Sequence, residues 1–226
     1  MRRPFTWEMI APFFRLPSLR YFDCCSAIVE YSNDIINPSP GSSPVEHIQF
    51  QSSRINDRAL TAIIRSSKSL RTFIYTHRAA TIVPFSPPLL GDALRECALD
   101  TLERLEVHSP NQSPLSSLGP LSGFVNLTHI IISLFLLLGQ QDGGNTDAIA
   151  RRLSMGFPRS LVVLGLFVDQ NINIFPAAER FVKDRHDQLK HLQKIGVSCP
   201  FGKHVEEQKR FNTLCQAEGL EVLRHF

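Results

Sequence analysis

The run Leu99-Asp100-Thr101-Leu102-Glu103-Arg104-Leu105-Glu106-Val107 spaces its apolar residues by three, three and two. Steps of three keep Leu99, Leu102 and Leu105 on one side of a tight turn. The last step of two is strand alternation, so Leu105 and Val107 point the same way. Neither a continuous helix nor a continuous strand produces that order. The phase returns seven more times, as Leu16-Leu19-Phe22-Cys24, Val45-Ile48-Phe50, Leu70-Phe73-Tyr75, Phe124-Leu127-Ile130-Ile132, Leu161-Leu164-Leu166, Leu189-Leu192-Ile195-Val197 and Leu220-Leu223. The first inward strand residues are then 22, 48, 73, 105, 130, 164, 195 and 223, separated by 26, 25, 32, 25, 34, 31 and 28 residues.

A turn that slides into a very short strand, repeated at roughly 29 residues, is the leucine-rich-repeat unit. The fold class expected is α/β: a leucine-rich-repeat solenoid of about eight irregular repeats. Its short parallel strands line the concave face, and helices or loops cover the convex face. One domain accounts for residues 1–226. A barrel or a doubly wound sheet also alternates strands and helices, but its strands, buried on both faces, read as apolar runs of roughly four to eight residues. Here most strands show two inward residues with a Leu three earlier. Ile130 to Leu138 is the exception that suits a fully buried strand.

Along the chain, Phe5, Trp7, Met9, Ile10, Phe13 and Phe14 place an amino-terminal helix over 1–15, as a partial repeat or a cap. Because a terminal repeat needs covering, this start also fits a piece of a longer chain. Residues 32–44 and 76–88 are Pro-rich loops by composition. Asn56 is an N-cap for a helix carrying Leu60, Ile63 and Ile64, and Leu89 to Ala98 is a second convex helix with Leu90, Ala93, Leu94 and Cys97 facing in. Asn111 to Pro120 leaves no room for a long helix. Helices are further expected around Ala148, Ile149 and Leu153, over Phe175 to His186, and over Val205 to Ala217, which ends near Gly219 and delivers a strand over Leu220 to Phe226.

The net charge of +3 is small, and Lys and Arg are scattered, so no footprint for nucleic acid stands out. The longest apolar run is too short to span a bilayer, and Glu8 and Pro12 interrupt the apolar core a signal peptide needs. Neither nucleic acid nor membrane is therefore an expected partner. Five cysteines, Cys24, Cys25, Cys97, Cys199 and Cys215, form no regular framework, which favours reduced thiols and a cytoplasmic or nuclear location.

No catalytic set converges. Cys199 and His204 lack a second ligand pair at finger spacing, His186 and His191 lack the metalloprotease Glu, no G-x-S-x-G elbow is present, and Gly139 to Asn145 is not followed by the Lys of a phosphate loop. The chain is accordingly read as no enzyme, with no metal and no cofactor. What the phase does supply is a concave face, made by the residues that flank each inward pair. From it Tyr21, Asp23, His47, Gln49, Arg104, Glu106, His108, His129 and Phe167 are the candidate partner-binding residues, since aromatics and Arg dominate binding hot spots. Eight strands about 4.8 Å apart give a surface roughly 35 Å long, enough for a protein partner.

At Leu16-Pro-Ser-Leu-Arg-Tyr-Phe, Leu102-Glu-Arg-Leu-Glu-Val and Leu161-Val-Val-Leu-Gly-Leu, with long irregular repeats between, the chain resembles the repeat region of fungal F-box/leucine-rich-repeat proteins. The resemblance implies recognition of a substrate protein for ubiquitin-dependent turnover. In that family an F-box joins the ligase through a Skp1-type adaptor. Here Leu16-Pro17 leads straight into a repeat strand and no F-box pattern follows, so adaptor binding would need an F-box upstream. The alternative is a stand-alone repeat protein that regulates or inhibits a partner such as a small GTPase or a nuclease.

Overall fold

The computed structural model describes residues 5–30, 39–77, 85–109, 116–139, 146–168, 173–185, 188–199 and 204–224. The centres of the two Pro-rich loops, most of the glycine-rich segment after Gly139, and His186 lie outside the described residues. In chain order the elements are β1 (Phe5–Thr6), α1 (Trp7–Ile10), a 3₁₀ turn (Phe13–Arg15), β2 (Tyr21–Cys25), β3 (Ile28–Glu30), β4 (His47–Ile55), α2 (Asp57–Ser66), β5 (Thr72–His77), α3 (Pro87–Ala98), β6 (Arg104–His108), β7 (His129–Ser133), α4 (Leu134–Leu138), α5 (Thr146–Gly156), β8 (Val163–Phe167), α6 (Phe175–Asp184), β9 (Lys194–Ser198), α7 (Val205–Ala217) and β10 (Glu221–Val222).

Every strand pairing among the described residues is parallel, and β4 to β10 follow one another across the sheet in chain order. One inward row crosses the sheet in the register the repeat phase predicts: Phe22, Ile48, Phe73, Leu105, Ile130, Leu164 and Ile195 are successive partners. From Ile48 onward these side chains are wholly buried, and they join the buried faces of α2, α3, α5, α6 and α7 in a single core. Among the described residues no helix packs a row of side chains on the opposite strand face. The chain is thus an α/β solenoid with its helices on one side of a parallel sheet.

Local chemistry explains the helix ends. The Asn56 side chain accepts the Arg58 N–H at 2.9 Å, capping α2. Two prolines open α3, where their missing N–H groups cost nothing. Gly219, at φ +74°, stops α7, with Leu220 N–H donating to Cys215 O and Gly219 N–H to Gln216 O.

Four departures from the sequence reading have physical causes. Residues 5–15, expected as one helix, form a two-residue strand against β3, a single helical turn and a 3₁₀ turn. Pro12 has no N–H to donate into a continuing helix, and Phe14, Arg15 and Leu16 bond back three residues instead. The apolar run Ile130 to Leu138 is a strand only as far as Ser133, after which the chain turns into α4, and both parts are largely buried. Leu16 and Leu99 occupy the Leu position of the turn but are 47% and 37% exposed. Leu16 lies at the sheet edge, and Leu99 caps the end of α3.

The fourth departure is the last register. Val222, not Leu223, partners Ile195, so Glu221 stands on the open row beside Lys194, whose Nζ lies 2.7 Å from its carboxylate. The Gly219 stop sends Leu220 into the core, and the next inward position falls two residues on.

The edge at β2 has a feature that the phase does not show. Ser26 and Ser52 both take positive φ, 57° and 48°, and the two kinks lie side by side, splitting β2 from β3 and bending β4. Ser53 stitches the bend: its hydroxyl donates to Gln51 O at 2.8 Å and accepts the Ala27 N–H at 3.1 Å. Against β5 the register of β4 shifts between Phe50 and Ser53, as a β-bulge does.

Candidate protein-binding face

The residues between the inward positions form three rows on the open face. The first runs Tyr21, His47, Thr72, Arg104, His129, Val163 and Lys194, and the second Asp23, Gln49, Ile74, Glu106, Ile131, Gly165 and Gly196. The third includes His108, Phe167 and Ser198. All nine candidate residues lie on this face and none is buried.

The structure sorts them into clusters. At the β2 edge the Tyr21 ring stacks on the His47 imidazole, centroids 4.1 Å apart and nearly coplanar in orientation, while Tyr21 stays 69% exposed. Asp23 and Gln49 are register partners in the row above. In the middle of the sheet Arg104 donates from Nε to Glu106 at 2.6 Å, so the two charges answer each other along one strand. His129 is the neighbour of Arg104, and its Nδ1 lies 2.8 Å from Thr128 Oγ1. Partial burial, then the Arg104 guanidinium, hold its imidazole below the usual histidine value.

Farther along, the His108 and Phe167 rings approach to 4.4 Å across the intervening strand β7. They can do so because Ser133, the residue between them, is small and fully buried, with its hydroxyl 3.1 Å from His108 Nδ1. The face closes toward β8, where Val163 is 8% exposed and Gly165 is buried. Its open part is therefore carried mainly by β2 to β7.

Two groups of residues escaped the sequence reading. Arg20, Glu46, Arg71 and Glu103 stand two residues before the inward positions and form a ladder of alternating charge, with Arg20–Glu46 at 3.6 Å and Arg71–Glu103 at 2.5 Å. Their backbones are linked in the same order, Glu46 to Arg20, Arg71 to Glu46 and Glu103 to Arg71. The signal was available, since the phase fixes that position in each unit. The second is a pairing at the far end of β5, where buried Tyr75, inward by phase, places its hydroxyl 2.7 Å from Nδ1 of buried His77. Burial raises the phenol far above its usual range, and burial followed by the Arg54 guanidinium lowers the imidazole.

Among the described residues no three His, Cys, Asp or Glu side chains gather as a metal site, and no helix is long and apolar enough to cross a membrane. The five cysteines are free thiols, and burial pushes that of Cys215 up to about 12. A sequence profile described as leucine-rich repeat domain matches residues 4–199. The chain belongs to the leucine-rich-repeat family. The match ends within the unit of β9, yet α7 and β10 continue the leucine-rich-repeat pattern by pairing one more strand onto the sheet. Leucine-rich-repeat domains are in general non-catalytic modules that bind other proteins. No curated protein matches this leucine-rich-repeat chain.

Proposed function

We propose that this leucine-rich-repeat domain recognises a protein partner on its concave face. The observation that carries the reading is the grouping of the open row: an exposed Tyr21–His47 stack at one end, the Arg104–Glu106 pair at the centre and the His108–Phe167 contact beyond it. Tyr, Phe and Arg are among the residue types enriched where proteins meet, and Tyr and Arg lead the hot spots. The long irregular repeats support a finer role, the choice of substrate in an F-box type adaptor for ubiquitin-dependent turnover within the cytoplasm or nucleus. A Skp1-type adaptor would then join through an F-box supplied outside residues 1–226.

Immobilised chain should retain a protein from cell extract, and changing Tyr21, Arg104 and Phe167 together to Ala should abolish that retention. Truncating such anchors removes several kcal/mol, enough to carry a micromolar complex below detection. Retention unaffected by the triple change would move recognition off this face. Substrate selection in turnover is tested separately, by asking whether the retained protein is stabilised in cells when the chain is depleted. An unchanged half-life would leave a stand-alone regulator as the role.

A further inference from the structure

The helical layer behind the sheet is not continuous. α2 packs on α3 and α5 on α6, but residues 116–128, on the way from β6 to β7, form no helix. That segment is nonetheless pinned. Leu118 N–H donates to Leu136 O at 2.8 Å, Leu121 N–H donates to Gly156 O at 3.0 Å, and Arg95 Nη1 donates to Leu118 O at 2.8 Å. Gly91 lets the segment lie this close, since a Cβ there would stand 2.0 Å from Leu118 O.

The gap so held is a groove, made of two adjoining open pockets of about 400 and 480 Å³ that share Met155 and Phe157. Its apolar walls are unusually bare for a convex face: Met155 is 65% and Val125 60% exposed. Its polar rim is cationic. Arg151 and Arg152 line the first pocket and Arg159 the second, and among the described residues no Asp or Glu lines either. Arg152 is held in place by donating to Leu138 O at 2.6 Å.

We propose that this convex groove is a second binding site, which takes a short acidic segment of a partner protein bearing large apolar side chains. The segment's apolar residues would cover Met155 and Val125, where the flexible thioether adapts to their shape. Its carboxylates would meet the Arg rim, whose planar guanidinium groups suit them. A groove open along its length fits an extended peptide better than an enclosed small molecule.

The test is selection of a random-peptide display library on the whole chain, followed by fluorescence anisotropy of the enriched peptide. Enriched sequences should carry Asp or Glu beside Leu, Phe or Met, and their binding should weaken as salt rises. Arg151→Glu, Arg159→Glu and Met155→Ser should each weaken it roughly tenfold or more, while Arg104→Ala on the other face leaves it unchanged. These positions are exposed or rim residues, and an unchanged circular dichroism spectrum and melting midpoint show that each variant is folded. Enrichment of neutral or basic peptides, no enrichment, or binding indifferent to the groove changes would overturn the proposal. Displacement of the peptide by Arg104→Ala would place the site on the concave face instead and overturn it equally.

Discussion

The unit of β2 and the unit of β8 share a sequence phase and differ in burial. Leu161, Leu164 and Leu166 are all fully buried, whereas Leu16 is 47% exposed and Phe22 and Cys24 are only half-buried. β8 has a strand on each side along its whole length, while β2 pairs only with β4. A repeat spends its apolar stripe against its neighbours, so the phase fixes the direction of a side chain and the position in the stack fixes its burial.

The sharpest contrast to test is between those units. Leu164→Ala should cost about 2–5 kcal/mol, from lost transfer energy and a cavity that two flanking strands hold open. Leu16→Ala, at the exposed turn position six residues before the inward Phe22 of the β2 unit, should cost less than about 1 kcal/mol. Urea denaturation of both variants measures the gap, and similar losses would erase the distinction. Next in size is Tyr75→Phe, which strips the buried His77 of its neighbour and should cost about 1–3 kcal/mol.

The same pair sets a pH dependence. The His77 and His129 imidazoles are both lowered in the folded state, so the unfolded chain binds more protons below the ordinary histidine value near 6.5. Their contribution is complete above that value and is lost as the pH falls through the lower folded values. Urea midpoints at about pH 7.5 and about pH 5.5 should show a drop that shrinks in His77→Gln. A drop of equal size in the variant would assign it elsewhere. The smallest effect is on the open face, where Arg104→Ala should change stability by about 0.5 kcal/mol or less, because an exposed ion pair is worth little.

Most of the fold was legible because one period repeats. Seven inward residues from Phe22 to Ile195 fall into a single row at the positions their spacing gives. The row failed only at β10, where Leu220 and Leu223 are three apart and the helix stop at Gly219 decides which neighbour turns inward. The paired kinks at Ser26 and Ser52 could not be read, since serine carries no mark of a left-handed backbone as glycine does. For the candidate face, membership in a row followed from alternation, but partners did not. That His108 meets Phe167 depends on Ser133 lying small and buried between them, a contact across three strands that spacing along the chain cannot express. The convex groove was half legible: the absence of a helix near Pro120 was expected, while Met155 and the Arg rim come together only in the stack.

The claim that recognition belongs to the concave face is tested most directly by hydroxyl-radical footprinting of the chain alone and with its retained protein bound. Tyr21, His47, His129 and Phe167 report on that face, and Met155 reports on the opposite one. The account predicts that bound protein lowers oxidation of Tyr21, His47 and Phe167, with or without added protection of Met155 in the convex groove. Protection at Met155 with the concave residues oxidised as before would contradict it.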